Sequence, residues 1–459
     1  MLFVTLVIVA VLFFAYVLME TEHMNRINRV AIAMFSGVIV WVLYMLRAGD
    51  FIHLVHPDEY KQFLDGAAST TSSVKEFVAN NILEQYITEA CSVILFLIST
   101  NTILEMMNNN GVFDSLTKWL RMRSSRRFLW ILSVLTFCIS ANVDNLTTVV
   151  LMMGLMGKIV KSEYQRSIYA CTILVSALLG GCFSVIGDMS TVVLWTRGVI
   201  TPTIFSTGMF LPCIVSLVTF NLLLSTTLKG GVEVTSIITS YDMDDSSFAS
   251  WQKIVFLVVG IGGLWFIPSF HAITKLPPFL GALCVLSFLW VVEGIFNFKR
   301  NGIMLFVQRN YLTNTEFVGM RIILYFIGAS LGAGVLKECG ALGYCASWLE
   351  ENIDNVYVYG AILSVFSSVC DNIPVVLMGM NTFPMETADA ASAFAQNGMY
   401  WQMLSYCCAM GGSLFFVGTL AGQAVLQVEN IPFSWYIRHY AWRVLATWCV
   451  GLLVFWLTH

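Results

Sequence analysis

Two short polar motifs interrupt otherwise apolar stretches of the chain, and they contain the side chains best suited to chemistry. The motifs are Asp144-Asn145 and Asp371-Asn372. In a lipid bilayer, a charged side chain near the middle of a helix costs roughly 2.5–3.5 kcal/mol or more, so a carboxylate there needs a partner. An ion is a good candidate for that partner, and the motifs therefore suggest ion binding at membrane depth.

Each motif is followed later in the chain by a glycine-rich break, residues 180–191 after the first and 411–419 after the second. The motifs and breaks together are rich in oxygen-bearing side chains and contain no lysine or arginine. Hard cations prefer oxygen ligands, so a small inorganic cation is favoured over an anion. The candidate ion-binding and proton-carrying residues are Asp144, Asn145, Thr147, Thr148, Asp188, Ser190, Thr191, Asp371, Asn372 and Ser413.

A buried carboxylate can exchange one cation for another by competition. Burial raises the pKa of a carboxylic acid and a bound cation lowers it, so one aspartate holds either a proton or a metal cation. We expect Asp144 and Asp371 to be the leading carriers and Asp188 to support them. The alternative for each aspartate is a structural one, because Asp and Asn are good N-caps of helices. The two roles can coexist.

The composition identifies a membrane protein that crosses the bilayer several times. Of 459 residues, 58% are hydrophobic and 11% are charged, whereas soluble domains have about a quarter charged residues. The formal net charge is −4 and no basic block is present, so nucleic acid is not an expected partner. The twelve cysteines form no CxxC pair, and the six histidines lie at span ends or in loops. No cofactor is expected.

The apolar stretches predict ten membrane spans and two re-entrant hairpins, since about 20 apolar residues cross a bilayer. The first span is expected to be a retained helix. Uninterrupted spans are predicted at 2–19, 29–46, 85–107, 205–228, 252–269, 277–296, 318–337 and 443–458. Interrupted stretches are predicted at 128–160, 167–198, 356–382 and 400–430.

The chain contains an internal repeat of its own sequence. Asp144 aligns with Asp371 (371 − 144 = 227), and Gly180 aligns with Gly411 (411 − 180 = 231). Such duplication is typical of secondary transporters. We therefore predict one transmembrane transporter domain over 1–459, with a first repeat at 1–228, a cytoplasmic linker at 229–251 and a second repeat at 252–459.

The distribution of basic residues predicts that the two repeats are inverted. Bases precede and follow the first Asp-Asn motif, so the positive-inside rule places both ends of its hairpin in the cytoplasm. The second motif lies between Lys337 and Arg438, with no lysine or arginine in between, so its hairpin should enter from outside. The bases around the first motif are Lys118, Arg121, Arg123, Arg126, Arg127, Lys158, Lys161 and Arg166.

The chain resembles the NhaD-type sodium/proton antiporters of the ion-transporter superfamily over nearly its whole length. The motifs that carry the resemblance are Asp144-Asn145-Leu146-Thr147-Thr148, Gly187-Asp188-Met189-Ser190-Thr191, Asp371-Asn372-Ile373-Pro374 and Gly411-Gly412-Ser413, with Arg29-Val30-Ala31-Ile32-Ala33 near the start. The resemblance implies an all-α polytopic fold with two inverted repeats, re-entrant hairpins and discontinuous helices. It also implies exchange of sodium or lithium for protons, with Asp144, Asp188 and Asp371 holding the transported sodium.

The same resemblance implies a homodimer embedded in lipid, in the inner (cytoplasmic) membrane of the cell. The sequence departs from the family pattern at Leu178, Val185 and Met410, where the family has Asn, Pro and Thr. An alternative within transporters is a sodium-coupled carboxylate or oxyanion carrier of the same superfamily, whose hairpin tips are expected to read Ser-Asn-Thr. An alternative from another class is an intramembrane enzyme that uses Asp144 and Asp371 as paired acid and base.

Overall fold

The computed structural model describes residues 1–22, 27–115, 120, 124–228, 230–232, 248–301, 315–353, 355–387, 392–415 and 418–458. Within these residues the secondary structure is helical, apart from two isolated β-bridges. Most of the predicted linker, 229–251, lies outside the described residues, as do Lys118, Arg121 and Arg123. The prediction of an all-α polytopic membrane protein is confirmed.

We number the helices of the described residues in chain order. They are α1 Leu2–Glu20, α2 Arg29–Met45, α3 Ala48–Val55, α4 Pro57–Leu64, α5 Thr71–Asn109, α6 Ser125–Ser140, α7 Asn145–Ile159, α8 Glu163–Phe183, α9 Met189–Thr196, α10 Pro202–Ser225, α11 Ser250–Thr274, α12 Pro278–Asn301, α13 Thr315–Glu338, α14 Ala341–Asn352, α15 Val356–Val369, α16 Asn372–Thr382, α17 Met399–Gly412, α18 Leu420–Glu429 and α19 Phe433–Thr458.

The number of helices able to cross a membrane is close to the prediction but not identical to it. Among the described residues, seven helices are long and apolar enough, or up to nine if each of two bent pairs is one span. The bent pairs are α2 with α3, at 88°, and 323–338 with α14, at 65°. Ten spans were predicted. The difference lies at 400–430, where α17 and α18 are each too short to cross alone.

The first Asp-Asn motif lies at the tip of a hairpin formed by α6 and α7. α6 runs parallel to α8, because the Tyr169 hydroxyl donates to the carbonyl of Ser125 (3.2 Å) and Ser140 Oγ donates to that of Ala177 (2.8 Å). α7 runs the opposite way, since its first residue, Asn145, packs against the end of α8. Both ends of the hairpin are therefore on one side, as predicted.

The second motif occupies the equivalent tip, between α15 and α16. Ser364 Oγ donates to the Cys407 carbonyl (2.9 Å) and Ser367 Oγ donates to the Cys408 carbonyl (2.7 Å), so α15 and α17 run parallel. The hydroxyl of Tyr400, at the start of α17, bonds to a carbonyl near the end of α16 (2.9 Å). α15 and α16 are therefore antiparallel and form a second hairpin.

One side-chain contact recurs in both halves at the spacing of the repeat. Ser140 bonds to Ala177, and Ser367 bonds to Cys408. These serines are separated by 227 positions (367 − 140) and their partners by 231 (408 − 177). The internal repeat of the sequence is therefore a repeat of tertiary contacts as well.

The helix after the first repeat's break, α10, fixes the direction of α8. Cys182, at the end of α8, lies beside Cys213 in the middle of α10, with 3.7 Å between the sulfurs. Asn221, later in α10, donates to Ser133 Oγ, which also bonds to Ser176 in the middle of α8. α8 and α10 are therefore antiparallel.

The same helix fixes the direction of the second repeat. Gly208 of α10 packs against Gln402 of α17, and Ser216 Oγ lies 2.8 Å from the Tyr406 hydroxyl. α10 is therefore parallel to α17, and α17 is antiparallel to α8. The first helix of each hairpin is parallel to the helix that it packs on, α6 to α8 and α15 to α17. Because α8 and α17 are antiparallel, the two hairpins open to opposite sides, as predicted for inverted repeats.

Small residues bring α2 of the first half against α13 of the second. A Cβ on Gly328 would lie 2.5 Å from the Ala33 carbonyl carbon, and one on Gly37 would lie 2.9 Å from the Gly328 carbonyl oxygen. Close approach of helices at small residues is common in membranes. This packing brings the start of α2 to the tip of the second hairpin.

We expect alanine at Gly180 and at Gly411 to destabilise the protein to a similar extent. A Cβ at either position would collide with a hairpin carbonyl oxygen, that of Phe137 or that of Ser364. Overpacking of this kind costs roughly 1–3 kcal/mol. Thermal unfolding of the purified protein in detergent measures the effect.

The matched control is Gly154→Ala, because no atom lies within 4 Å of a Cβ built at Gly154. Its unfolding temperature should equal that of the wild type or exceed it slightly. Wild-type stability in both Gly180→Ala and Gly411→Ala would contradict the close approach of hairpin and broken helix.

Candidate ion-binding site

Four short helices begin at the centre of the molecule, and their N-termini surround one small cavity. The helices are α7, α9, α16 and α18, and the residues before them are Asp144, Asp188, Asp371 and Thr419. Residues from all four helix starts line the cavity. The N-terminus of a helix carries a partial positive charge that favours anionic groups, and here three of the four preceding residues are aspartates. The site therefore contains its own anions.

Asp188 connects the two hairpin tips. Asn145 of the first hairpin donates from Nδ2 to Asp188 Oδ1 (2.9 Å), and Asn372 of the second donates to Asp188 Oδ2 (3.1 Å). Ser190 Oγ donates to the same Oδ2. With 5% of its surface exposed, Asp188 is buried, and hydrogen bonds compensate a buried charge. One carboxylate thus holds both Asp-Asn motifs together.

Asp144 caps its own helix and also faces the cavity. Its Oδ2 accepts hydrogen bonds from the backbone N–H groups of Leu146 (3.1 Å) and Thr147 (3.4 Å). The side chain is partly exposed and lines the cavity with Asp188. The capping role that the sequence left open is present, and it leaves Oδ1 of Asp144 for another ligand.

Asp371, the repeat mate of Asp144, has a different partner. Its Oδ2 lies 3.0 Å from Arg29 Nη2, and both side chains are at most 3% exposed. Arg29 Nη1 donates to Gln423 Oε1 (2.5 Å), and the guanidinium carbon lies 4.6 Å from the centre of the Tyr325 ring. The Asp371 side chain makes no capping hydrogen bond to α16. The two aspartates of the repeat are therefore not equivalent.

Sequence reasoning missed Arg29 as a member of this site. The residue starts α2, and a base at the end of an apolar span is ordinarily an anchor at the membrane surface. Its partner is 342 positions away in the sequence, and only the packing of α2 on α13 brings the pair together. The one available signal was the position of Arg29 in a segment that resembles the NhaD-type family.

Some of the remaining predicted residues contact the carboxylate of Asp188, and the others do not. Asn145, Ser190 and Asn372 contact Asp188 directly. Thr191 Oγ1 bonds to the backbone of Asp188, and Thr148 is buried near the first tip with no hydrogen-bond partner for its Oγ1. Ser413 Oγ donates to the Met410 carbonyl (2.7 Å), so this hydroxyl is used within its own helix turn.

The cavity is small, and both polar and apolar side chains line it. It has a volume of about 20 Å³ open to the centre of a water-sized sphere, which is enough for one water molecule. Carboxylate and amide groups line it together with apolar side chains, among them Leu178, Met189 and Ile373. Among its lining residues there is no lysine or arginine. A single small cation fits these ligands and this size.

The three aspartates do not form a closed carboxylate cage. Within the described part of the chain, no group of three or more His, Cys, Asp and Glu side chains is arranged to hold a metal ion. A cation in this cavity would instead have mixed ligands, namely carboxylate, amide, hydroxyl and backbone oxygens. Mixed oxygen sets that include few charges are suited to weak, reversible binding.

A second cavity, with a mostly polar lining, lies beside residues 81–89 of α5. His56 Nε2 is 2.7 Å from Glu338 Oε2, and His56 Nδ1 is 2.9 Å from Glu59 Oε2. The Tyr86 hydroxyl donates to Glu338 Oε1 (2.7 Å). Glu89, Arg197 and Lys337 also line this cavity, where Arg197 pairs with Glu89 (2.9 Å). The hydrogen bond to Glu338 raises the pKa of His56 above its usual value of 6.5.

Comparison with known proteins identifies relatives along almost the whole chain. The sequence profile of the citrate transporter family (CitMHS) matches residues 1–411. A protein named "Sodium/proton antiporter 1" from Arabidopsis thaliana is 27% identical over 443 residues, which cover 95% of this chain and 70% of that protein.

Two further relatives have similar names. "Sodium/proton antiporter 2" from Arabidopsis thaliana is 29% identical over 383 residues, 82% of this chain and 87% of the relative. "Na(+)/H(+) antiporter NhaD" from Vibrio cholerae is 24% identical over 396 residues, 80% of this chain and 77% of the relative. The resemblance found in the sequence motifs is confirmed.

We expect the stabilising effect of His56 to depend on pH. A His with a raised folded-state pKa stabilises the protein fully below its unfolded pKa of about 6.5, and this effect is lost as the pH rises through the folded pKa. His56→Gln should therefore lower the unfolding temperature more at pH 6 than at pH 9. Thermal unfolding in detergent at the two pH values measures this.

The control is His56→Gln in a Glu338→Gln background, where the carboxylate that raises the pKa of His56 is absent. The difference between its effects at pH 6 and pH 9 should then be smaller. An effect of His56→Gln that is equal at pH 6 and pH 9 would contradict the pairing of His56 with Glu338.

Proposed function

Because the chain belongs to the citrate transporter (CitMHS) family, we propose that it is a secondary active antiporter that exchanges sodium or lithium for protons. It is a multi-pass membrane protein, and we place it in the cytoplasmic (inner) membrane. The observation that carries the proposal is the cavity in which the carboxylates of Asp144 and Asp188 meet at opposed helix ends. The names of the relatives in plants and bacteria support it.

Asp144 and Asp371 carry the exchanged proton or cation in this proposal. Asp144 presents a carboxylate to the cavity, and a proton and a sodium ion compete for it. Asp188 keeps the asparagine amides of both tips in place. Binding of a cation or a proton at one tip therefore changes the hydrogen bonds that hold the other tip. No cofactor takes part, since both exchanged species are transported ions.

Alternating access follows from the opposed orientation of the hairpins. Each hairpin opens to a different side, and the tips share the central cavity. Movement of one repeat against the other would open the cavity to one side at a time. The cation leaves its ligands on the side where a proton replaces it.

A sodium-coupled carboxylate or oxyanion carrier is the alternative, because the family description names citrate. The four helix N-termini would favour an anion, but aspartates precede three of them. A carboxylate substrate would enter a cavity that already contains Asp144 and Asp188, and repulsion between like charges opposes this. The cation exchanger therefore fits the site better.

An enzyme with Asp144 and Asp371 as paired acid and base is not supported by the contacts. Asp144 accepts from its own helix and Asp371 pairs with Arg29. Asp188 lies between the two tips and accepts a hydrogen bond from the asparagine of each. We propose that the chain has no enzymatic activity.

The proposal also includes the lipid and protein partners of the chain. Large apolar side chains are exposed along the spans, for example Phe13, Phe35 and Trp265, and lipid is the partner that covers such surfaces. We propose a homodimer by analogy with the family, and sodium or lithium and protons as the only other partners.

Asp144→Asn and Asp371→Asn should each abolish exchange. In everted membrane vesicles with an imposed acid-inside gradient, sodium or lithium added to wild-type protein should dissipate the gradient. Each variant should reduce this rate at least tenfold, because an amide side chain neither takes up nor releases a proton in the pH range of such an assay. The fluorescence of a pH-sensitive dye reports the gradient.

Asp58→Asn is the matched control, because Asp58 is a surface carboxylate, 94% exposed, that pairs loosely with Lys61. It should retain the wild-type rate. If folded wild-type protein is as inert as both variants, cation/proton exchange is wrong, and labelled carboxylates and oxyanions become the substrates to test.

Leu178→Asn should strengthen cation binding. Leu178 lines the cavity, and an amide oxygen there would add a ligand to those of Asp144 and Asp188. We expect the half-saturating sodium concentration in the vesicle assay to fall several-fold. Leu178→Met, which keeps an apolar side chain of similar volume, should leave it unchanged, and equal values for all three proteins would contradict the expected ligand position.

A further inference from the structure

We propose that Arg29 is a built-in cation that competes with the transported cation or proton for Asp371. The inference rests on the proposed exchange function and deepens it. It assigns to Arg29 the setting of cation affinity at one of the two repeated aspartates. The argument comes from the position of Arg29, from the unused atoms around it and from the difference between the two repeats.

The Arg29–Asp371 pair is buried but incompletely bonded. One guanidinium nitrogen meets one carboxylate oxygen at 3.0 Å, whereas a strong arginine–carboxylate pair uses two parallel bonds. Oδ1 of Asp371 and Nε of Arg29 are buried without a hydrogen-bond partner. A buried pair with a spare oxygen and a spare donor is only partly compensated for the loss of water. This geometry suits a contact that opens during transport.

The guanidinium has other groups to hold it when Asp371 is occupied. Gln423 accepts a bond from Nη1 at 2.5 Å, and the Tyr325 ring lies beside the guanidinium. Glu20, at the end of α1, interacts electrostatically with both Arg29 and Asp371. Its Oε2 is buried without a hydrogen-bond partner. In this proposal, Arg29 transfers its pairing from Asp371 to Glu20 when a cation loads Asp371.

The repeat itself provides an internal comparison. Asp144 gives Oδ2 to the N–H groups of its own helix, whereas Asp371 leaves α16 uncapped by its side chain and turns to Arg29. The halves differ in a second way, because Asp188 precedes α9 in the first half and Thr419 precedes α18 in the second. The contribution of Arg29 to cation binding is therefore measured by removing the arginine itself and not by comparing the two halves.

The consequence for transport is a competition at Asp371 among three cations. Arg29, a proton and a metal ion each neutralise the same carboxylate. A cation that loads Asp371 must displace Arg29, which lowers its apparent affinity and helps its release. Removing the arginine charge should therefore tighten cation binding, and only while Asp371 is present.

Binding of radioactive sodium to the purified full-length protein, measured in detergent at fixed pH, tests the inference. We expect Arg29→Gln to lower the apparent Kd for sodium at least tenfold and Arg29→Lys to keep it within about threefold of the wild type. The same substitution in an Asp371→Asn background should change the Kd by less than twofold. This double-mutant comparison isolates the interaction of Arg29 with Asp371.

Arg166→Gln is the matched control, because Arg166 also pairs with a carboxylate, Glu429, at 2.8 Å, outside the cavity. It should leave the Kd unchanged. If Arg29→Gln does not fold, Glu20→Gln provides the second test. Loss of Glu20 removes the alternative partner of Arg29, so sodium binding should weaken at least threefold with Asp371 present and stay unchanged in Asp371→Asn.

Two results would overturn the inference. One is an unchanged or higher Kd in folded Arg29→Gln, and the other is an equal tightening with and without Asp371, which would be a long-range charge effect. If either result is found while wild-type vesicles still show sodium-dependent proton exchange, the inference is wrong but the proposed function is not contradicted. Wild-type protein that neither exchanges nor binds sodium or lithium would overturn the proposed function and this inference together.

Discussion

The carboxylate of Asp188 is the interaction on which the central structure depends. It accepts amide hydrogen bonds from Asn145 and Asn372, which lie at the tips of hairpins that come from opposite sides. Without these bonds the carboxylate would be a buried charge and the two amides would be buried polar groups, each at a cost of several kcal/mol in lipid. The tips are therefore held together because the buried carboxylate and the two buried amides satisfy each other's hydrogen bonds. The helix ends that they carry are fixed around one cavity as a result.

Interrupted helices are possible inside a membrane because the neighbouring hairpin packs closely against the described part of each break. The break between α8 and α9 packs against the first hairpin so closely that Gly187 has no room for a Cβ beside the Ser140 carbonyl, and Gly418 is placed in the same way beside Ser367. Non-helical backbone in a membrane requires such burial or a watery cavity. The glycines thus serve the site indirectly, since they let each hairpin tip reach the end of a broken helix.

The sequence predicted what depends on local pattern and on symmetry. The polar motifs inside apolar runs, their spacing in the repeat and the charge distribution around them predicted both hairpins, their opposed directions and the positions of Asp144, Asn145, Asp188 and Asn372. Ser413 was predicted to be an ion ligand, but its hydroxyl donates to a carbonyl of its own helix turn. Orientation of a short side chain depends on packing, which the pattern does not contain.

The pairing of Arg29 with Asp371 shows why the rest was out of reach. The repeat gives Asp144 and Asp371 equal status, and a terminal arginine on an apolar span reads as a surface anchor. Contact between the two residues depends on how closely α2 and α13 approach at Gly37 and Gly328, and on where the second tip ends. These are properties of three-dimensional packing between distant segments.

Inequivalence of the two tips has a physical consequence for any ion that enters the cavity. At the first tip, the cation meets a carboxylate whose other oxygen is already fixed by backbone N–H groups, so little has to move. At the second tip, Asn372 lines the cavity, whereas the Asp371 carboxylate is paired with Arg29 and is not among the lining groups. Two inverted halves with identical tips would bind an ion equally in both orientations of the repeat. The pairing of Arg29 with Asp371 is one difference between the halves, and Thr419 in the place of Asp188 is another, so the two tips present different ligands to an ion.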